Sequence, residues 1–384
     1  MDDLPSGWVA HQNGNLDRPA DPGCRASLFR GASSAGPHAS VLGLGGAPRR
    51  VLGLSKCRRL YIRLALPLHE KSLIAEIRRI SGTSRRIALG IGDDAAILRI
   101  PPGHEMLVTT DFSLEGVHFR RDWHLPESVG HRCLARGLSD IAAMGGEPVA
   151  VFLSLAVPEK LPQKWVDGFL RGLTALARQH RVALAGGDTS ASPDGILADI
   201  VVVGSAPAGK TVRRSGAKPG DLIYVTGQLG ASALALGKMY ASPKKKLNAK
   251  KYPRHFFPEP RLAVGRYLRE RKIATSMIDL SDGLSTDLHH ICEESKVGAS
   301  ISAELIPCAE GVSLKHALHG GEDYELLFSA PADRKVPGKI AGVRVTCIGK
   351  ILRKKKVSLL AESKEVELRP GGWEHFVNRK SDWV

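Results

Sequence analysis

The chain has 384 residues, 43% apolar and 24% charged. That balance excludes wholesale disorder and, at about 150 residues per domain, predicts two to three domains. The 41 glycines and 23 prolines are too few for a collagenous or low-complexity protein. Six cysteines (Cys24, Cys57, Cys133, Cys292, Cys308 and Cys347) form no Cys-x-x-Cys pair, which argues against a zinc ribbon or disulfide scaffold and for a reducing, cytosolic compartment. A formal charge of +16 could attract nucleic acid, membranes or phosphorylated metabolites. The basic runs Lys244–Lys246, Lys250-Lys251 and Arg353–Lys356 carry no interleaved rings in a chain that is 5% aromatic, and no stretch reaches the roughly 18 apolar residues of a bilayer span. Neither a nucleic acid nor a membrane is therefore expected as partner.

In chain order, residues 1–68 are rich in Pro, Gly, Ser and Arg and hold nine Lys or Arg against four Asp or Glu up to residue 69. They show no period that buries a face and read as a disordered extension or a miscalled start. Arg49-Arg50 is faintly similar to a twin-arginine signal, but Lys56, Arg58, Arg59 and Arg63 interrupt any apolar run behind it. From Glu70, Leu73, Ile74, Ile77 and Ile80 recur at helical spacing, and residues 105–111 read as a strand delivering Asp111 at its end. Pro126 opens a helix to Met144; strand 149–157, helix 164–179 and strands 182–185 and 196–205 follow. Strand 221–226, helices 231–239 and 260–271, an apolar segment at 278–280 entering a helix to Glu294, and strands 324–329, 343–348 and 357–360 complete the pattern. Such alternation predicts an α/β layer architecture in two domains, 69–212 and 213–384.

Gly204-Ser205-Ala206-Pro207-Ala208-Gly209-Lys210-Thr211 satisfies the spelling of a phosphate-binding P-loop. The motif works only when a helix follows to hold the anion at its N-terminus, and Gly216, Pro219 and Gly220 oppose one. A linker is the expected reading, with a P-loop NTPase using Lys210 as the remote alternative. The stronger signal is acid-glycine punctuation at element ends: Gly92-Asp93-Asp94, Thr109-Thr110-Asp111, Ser139-Asp140, Gly187-Asp188-Thr189, Asp279-Leu280-Ser281-Asp282-Gly283 and Gly321-Glu322-Asp323. Each alone is a turn signal. Strand ends in an α/β sheet share an edge where ligands bind, and converging carboxylates need cations, which points to magnesium and phosphate chemistry.

These blocks resemble the thiamine-monophosphate kinase family. The resemblance rests on Gly90-Ile91-Gly92-Asp93-Asp94-Ala95-Ala96, Thr110-Asp111 with Glu115–Phe119, Leu138–Gly145, Gly186–Thr189, Arg214–Asp221, Ile278–Leu284, Gly320–Leu326 and Gly372–Phe376, eight blocks in order from about residue 69 onward. It implies transfer of the γ-phosphoryl of ATP to thiamine monophosphate, and a two-domain fold like that of aminoimidazole-ribonucleotide synthetase, dimerising through the N-terminal sheets. It also implies catalytic Asp140, Asp111 and Asp279; several magnesium ions on Asp94, Thr109, Thr110, Asp111, Asp140, Asp188, Asp279 and Asp282; ATP contacts at Gly187, Asp188, Arg214 and Ser281; and substrate contacts at His118, Glu322 and Trp373. Blander roles stand beside these: a half-buried His118, Trp373 stapling the tail, Arg214 as a linker residue, Asp93 as a turn former. No ligand spacing marks His69, His104, His289 or His290. A different ATP-dependent synthetase of the superfamily is the alternative, although a selenide user would want a cysteine near Gly90–Asp94, and a hydrogenase-maturation relative would want one at the C-terminus. This chain has neither.

Overall fold

The computed structural model describes residues 69–376, so the reading of residues 1–68 lies outside the described residues. Helix α1 (Glu70–Ile80) buries Leu73 and Ile77, four residues apart on one stripe. The two-stranded ribbon β1 (Ile87–Leu89) and β2 (Ile97–Leu98) brackets the loop that carries Asp93 and Asp94. Strand β3 (His104–Leu114), helix α2 (Pro126–Ala143), β4 (Glu147–Pro158), α3 (Gln163–Gln179), β5 (Leu184–Ser192) and β6 (Leu197–Pro207) then build a four-stranded sheet ordered β3-β6-β4-β5. Its β4–β5 pair is parallel, joined by the α3 crossover.

Helix α2 is apolar or small nearly all round, and every residue from Ser128 to Ser139 is buried. Such a helix must lie inside the molecule. One side meets the first sheet, where a Cβ on Gly137 would touch Val202 and Ile200. Another meets α3 so closely that a Cβ on Gly130 would lie 1.9 Å from the Phe169 carbonyl, and one on Gly172 1.8 Å from that of Glu127. The rest faces the second half of the chain.

That half comprises β7 (Leu222–Thr226), α4 (Ala231–Ala241), α5 (Pro253–Phe256), α6 (Leu262–Glu270), β8 (Ser276–Asp279), α7 (Leu284–Ser295), β9 (Gly298–Ser302), α8 (Leu314–His319), β10 (Leu326–Ala330), β11 (Lys339–Ile340), β12 (Val343–Leu352), β13 (Val357–Ala361) and β14 (Lys364–Glu367). Its sheet runs β14-β13-β9-β12-β7-β10-β8, with β11 paired to β12. One continuous apolar cluster joins α2, α3, β4 and β6 to Leu268 of α6, Met277 of β8 and Phe328 of β10, and a second packs α7 onto its sheet. Among the described residues no helix is long and apolar enough to cross a membrane.

Two expectations need correction. Strand β3 continues past Asp111 to Leu114, so Asp111 sits within a strand rather than at its end. Gly204–Pro207 are the last residues of β6, Ala208–Lys210 form an exposed turn, and β7 precedes the next helix, α4. With no helix N-terminus behind Lys210, the P-loop reading fails.

The α2–α3 contact yields a paired prediction. Gly172→Ala should lower stability by roughly 3 kcal/mol, because backbone rather than a movable side chain blocks its Cβ. Gly237→Ala, in α4 with nothing within 4 Å of the new Cβ, should raise it by about 0.5–1 kcal/mol. Urea midpoints of the two variants check both signs.

Candidate active site

Arg132, Arg136 and Asp140 succeed one another at four-residue spacing on α2 and so share a stripe, with Ser139 beside the last. A stripe of charge on a buried helix needs partners, and the elements that supply them define the site. Strand alternation turns Thr109 and Asp111 of β3 towards α2. Thr109 donates its hydroxyl proton to Asp140 Oδ2, and Ser139 Oγ donates to Asp279 Oδ2 at 2.6 Å. Adjacent residues of one helix are thereby fastened to strands of both sheets. Arg136 Nη1 donates to the Phe112 carbonyl (2.7 Å), and its buried Nε has no hydrogen-bond partner.

The carboxylates brought together here lack sufficient positive charge. Asp279, 3% exposed, is pushed up to about 7 by burial and then by the charge of Asp140, against the opposing hydrogen bond from Ser139 and the field of Arg214. Asp111 rises to about 6 through burial, with Asp140, Asp199 and Asp282 adding to the rise and Arg136 resisting it. Burial also raises Asp140 and Asp282, both eased by Arg214. Beyond Asp279 the chain turns into α7, where Asp287 Oδ2 accepts the N–H groups of Asp282 (3.2 Å) and Gly283 (3.0 Å). Ligand atoms of Asp282, Asp287 and His290 lie within 4.8 Å of one another, so His290 joins the site despite its uninformative spacing in sequence.

Residues 322–325 run beside 280–281, Glu322 N–H donating to the Ser281 carbonyl at 2.8 Å and Tyr324 N–H to that of Leu280 at 2.9 Å. Glu322 adopts φ +63°. Its oxygens both lie 2.6 Å from Arg132 Nη2, and one lies 2.6 Å from Arg136 Nη2; the two guanidiniums hold the carboxyl far below its usual range despite burial. His118 accepts the Leu114 N–H at Nδ1 (3.0 Å) and is pushed down to about 3 by burial and then by Arg136, which keeps it neutral. His375 stands edge-on to both His118 and Trp373, with ring centroids 5.7 Å apart in each case. Trp373, 49% exposed, is tied to the Asp282 carbonyl through its main-chain N–H (3.0 Å). His118, Trp373 and the acidic cluster thus border one another.

Other sequence-predicted positions fall elsewhere. Asp94 is exposed in the β1–β2 loop, its N–H bonded to Asp93 Oδ1 at 2.9 Å, the turn-forming role weighed for Asp93. Thr110 projects from the opposite face of β3, where its hydroxyl donates to Asp199 Oδ1 (2.7 Å). Asp188 lies on that same open face, in the cross-strand row Phe112–Asp199–Ser154–Asp188, three strand spacings or about 14 Å from β3, and accepts the Thr189 N–H (2.8 Å). Gly187 has a backbone reason for its identity: φ is +144°, and a Cβ would lie 1.8 Å from the Leu153 carbonyl. Arg214 is exposed and reaches the cluster through its field; Ser281 sits in the turn before α7. The sequence alone assigns no role to Arg132, Arg136, Asp199 or Asp287, marks Ser139 only as the neighbour of Asp140, and sets His290 aside. The four-residue spacing of Arg132, Arg136 and Asp140 was visible, whereas Asp199 needs the β3–β6 register.

Raised carboxyl values carry a pH signature. The native state retains protons that the unfolded chain releases above pH about 4, so the stability held by protonated Asp279 and Asp111 is full below that value and is lost as pH rises through about 6 to 7. In chelator-treated protein, Asp279→Asn should therefore raise Tm at pH 8 by on the order of 5 °C and change it little at pH 5. Scanning calorimetry at the two pH values checks this; equal shifts at both would place an ionised Asp279 in the native state throughout.

Comparison with known proteins matches residues 92–206 to the model of the AIR synthase related protein N-terminal domain and residues 218–362 to that of its C-terminal domain. Thiamine-monophosphate kinase of Escherichia coli strain K12 is 37% identical over 325 residues, covering 80% of this chain and 98% of that relative. The crystal structure of thiamine-monophosphate kinase from Stenotrophomonas maltophilia K279a superposes with a TM-score of 0.68 at 35% identity, over 77% of this chain and 98% of the other. A structure of AaThiL complexed with AMPPCP and TMP gives 0.63 at 31% identity, over 80% and 97%. With both domain models matched in order and relatives covered almost end to end, the chain belongs to the thiamine-monophosphate kinase family of AIR-synthase-related proteins.

Proposed function

We propose that the chain phosphorylates thiamine monophosphate with ATP, giving ADP and thiamine diphosphate. The bond from the γ-phosphorus to the bridging oxygen breaks, ADP carries that electron pair away, and an oxygen of the acceptor phosphate forms the new bond. That oxygen is already ionised, so the reaction needs positioning and charge neutralisation more than a strong base. The relative complexed with AMPPCP and TMP supports both substrates. The observation that carries the reading is the group of four carboxylates, Asp279 buried and Asp111, Asp140 and Asp282 half-buried, each raised by desolvation and three of them facing the positive field of Arg214.

An all-oxygen donor set with uncompensated charge suits magnesium. Asp111, Asp140, Asp279 and Asp282 would hold the ions, with Thr109, Thr110, Asp94 and Asp188 as the outer members of the set, Thr110 through its main chain. Bound there, magnesium supplies the positive charge that lets two phosphates approach. Arg214 grips phosphate oxygens of ATP, joined by Gly187, Asp188 and the N-terminal turn of α7 at Ser281. Neutral His118, Glu322 and the exposed ring of Trp373 receive the acceptor. Arg136, buried with an unspent Nε–H, offers the acceptor phosphate a donor.

We also infer that two copies pair through the open face of the first sheet, where Met106, Val108 and Phe112 stand 58%, 60% and 54% exposed. An uncovered apolar sheet face of this kind marks an interaction surface. Pairing there would account for Asp188 lying on that face, away from the cluster of its own chain. A domain division at 212/213, in the interval between the models matched at 92–206 and 218–362, is part of the same reading, and the thiols of Cys133, Cys292, Cys308 and Cys347, all free, fit a cytoplasmic setting.

Incubating the protein with ATP, Mg²⁺ and thiamine monophosphate should yield thiamine diphosphate only when all three are present. Folded protein that binds ATP but makes no diphosphate would move the assignment to the amide-activating synthetases of the superfamily. Asp140→Asn should lower kcat at least about 100-fold without lowering Tm, and Lys210→Ala should leave activity intact. Val108→Asp should halve the mass seen by light scattering.

A further inference from the structure

Behind the Glu322 ion pair lies a buried polar network that meets the expected site residues only through Arg132, whose Nη2 also lies 3.3 Å from the His118 carbonyl. Arg132, whose Nη2 holds both oxygens of Glu322, directs Nη1 the other way, to the His255 carbonyl at 2.9 Å. The same Nη1 lies 3.3 Å from Nδ1 and 3.1 Å from Nε2 of the His255 ring. The two ring nitrogens flank Cε1, and an in-plane approach at these near-equal distances would drive Nη1 into that carbon, so the guanidinium lies over the imidazole face. His255 Nδ1 meets Ser232 Oγ at 2.9 Å, and its Nε2 meets His124 Nε2 at 3.1 Å.

His255, His124, Ser232 and Arg132 are all buried. A 3.1 Å contact between two ring nitrogens accommodates one proton, so one ring donates and the other accepts. A second proton would set two cations against each other and against Arg132. Burial and that guanidinium drive His255 well below its usual range and His124 down to about 4. A neutral imidazole face attracts a guanidinium, as other aromatic faces do. The ring is therefore fixed at both nitrogens, by α4 through Ser232 and by the segment before α2 through His124, and Arg132 rests on it.

We propose that His255 is a positioning residue for the acceptor substrate: it sets the fork of Arg132 so that Glu322 is held where the substrate meets it. Glu322 sits at positive φ, and its carboxylate is held by two arginines of another element. Loss of the His255 ring leaves Arg132 with one anchor fewer and gives the Glu322 carboxylate room to shift. Because Glu322 acts on the acceptor, the effect falls on one substrate. This inference rests on the kinase reading and on Glu322 as a substrate contact.

The test is a double-mutant cycle on the full-length protein, with folding checked by circular dichroism. His255→Leu is expected to raise KM for thiamine monophosphate about tenfold while kcat and KM for ATP move by less than about twofold. Glu322→Gln should do the same, and the double variant should be no worse than Glu322→Gln alone. Additive effects, or equal movement of both KM values, would overturn the proposal. Should His255→Leu not fold, Ser232→Ala carries the test: it frees the ring at Nδ1, and an unchanged KM for thiamine monophosphate sinks the idea. The same cycle is run on Tm, where His255 and Glu322 should be non-additive without any substrate. Wild-type protein that makes no thiamine diphosphate yet shows this coupling fails the kinase reading alone; active protein with additive Tm shifts fails this inference alone.

Discussion

Helix α2 is enclosed on every side and still carries two arginines and an aspartate on one stripe, and much of the molecule is arranged around that fact. Charge in such a place is tolerated only with close partners. Glu322 answers Arg132 and Arg136; Thr109 binds Asp140 while the neighbouring Ser139 binds Asp279. These contacts fix β3 of the first sheet against β8 of the second and against the 322–325 segment, which runs beside the end of β8 on its way into β10. Glycines where α2 and α3 touch, and the apolar cluster that continues into α6 and β10, bring the helix close enough for short polar contacts to form.

The two ends of the stripe have opposite electrostatic balance. Around Glu322 two guanidiniums face one carboxylate, so the carboxylate stays ionised and the region keeps a positive excess. Around Asp140, four carboxylates face the more distant Arg214 and the flank of Arg136, so their protons are held more tightly than in water. Under the proposed function both would serve a transfer between two phosphates, the cationic region for an anionic acceptor and the anionic region for cations. The repulsion among these carboxyls costs stability in the folded protein, the pattern that a stability–activity trade-off predicts.

The first sheet divides its roles by face. Its covered face brings Thr109 and Asp111 to the cluster, while its open face presents apolar residues beside Thr110, Asp199 and Asp188. Period two along a strand makes this partition unavoidable: neighbours in sequence cannot reach the same face through their side chains.

Local sequence determined a good deal of this protein. Apolar periodicity and turn residues marked most strands and helices close to their observed ends; α2 was expected from Pro126 to Met144 and spans Pro126–Ala143. Gly216, Pro219 and Gly220 were enough to deny a helix after Lys210, and the acid-glycine blocks identified the family and its chemistry, because they encode backbone turns and charge locally. The three consecutive residues Thr109, Thr110 and Asp111 were expected in one ligand set, whereas the strand turns the Thr110 side chain to the other face. Only the tertiary structure decided which carboxylates converge, that Arg132 and Arg136 meet Glu322 across 190 and 186 residues, that His290 joins Asp282 and Asp287, and that Asp188 stands on the far face. Those outcomes depend on strand order, register and the burial of α2, and such long-range pairings are set by the packing of whole elements rather than by the residues beside each side chain.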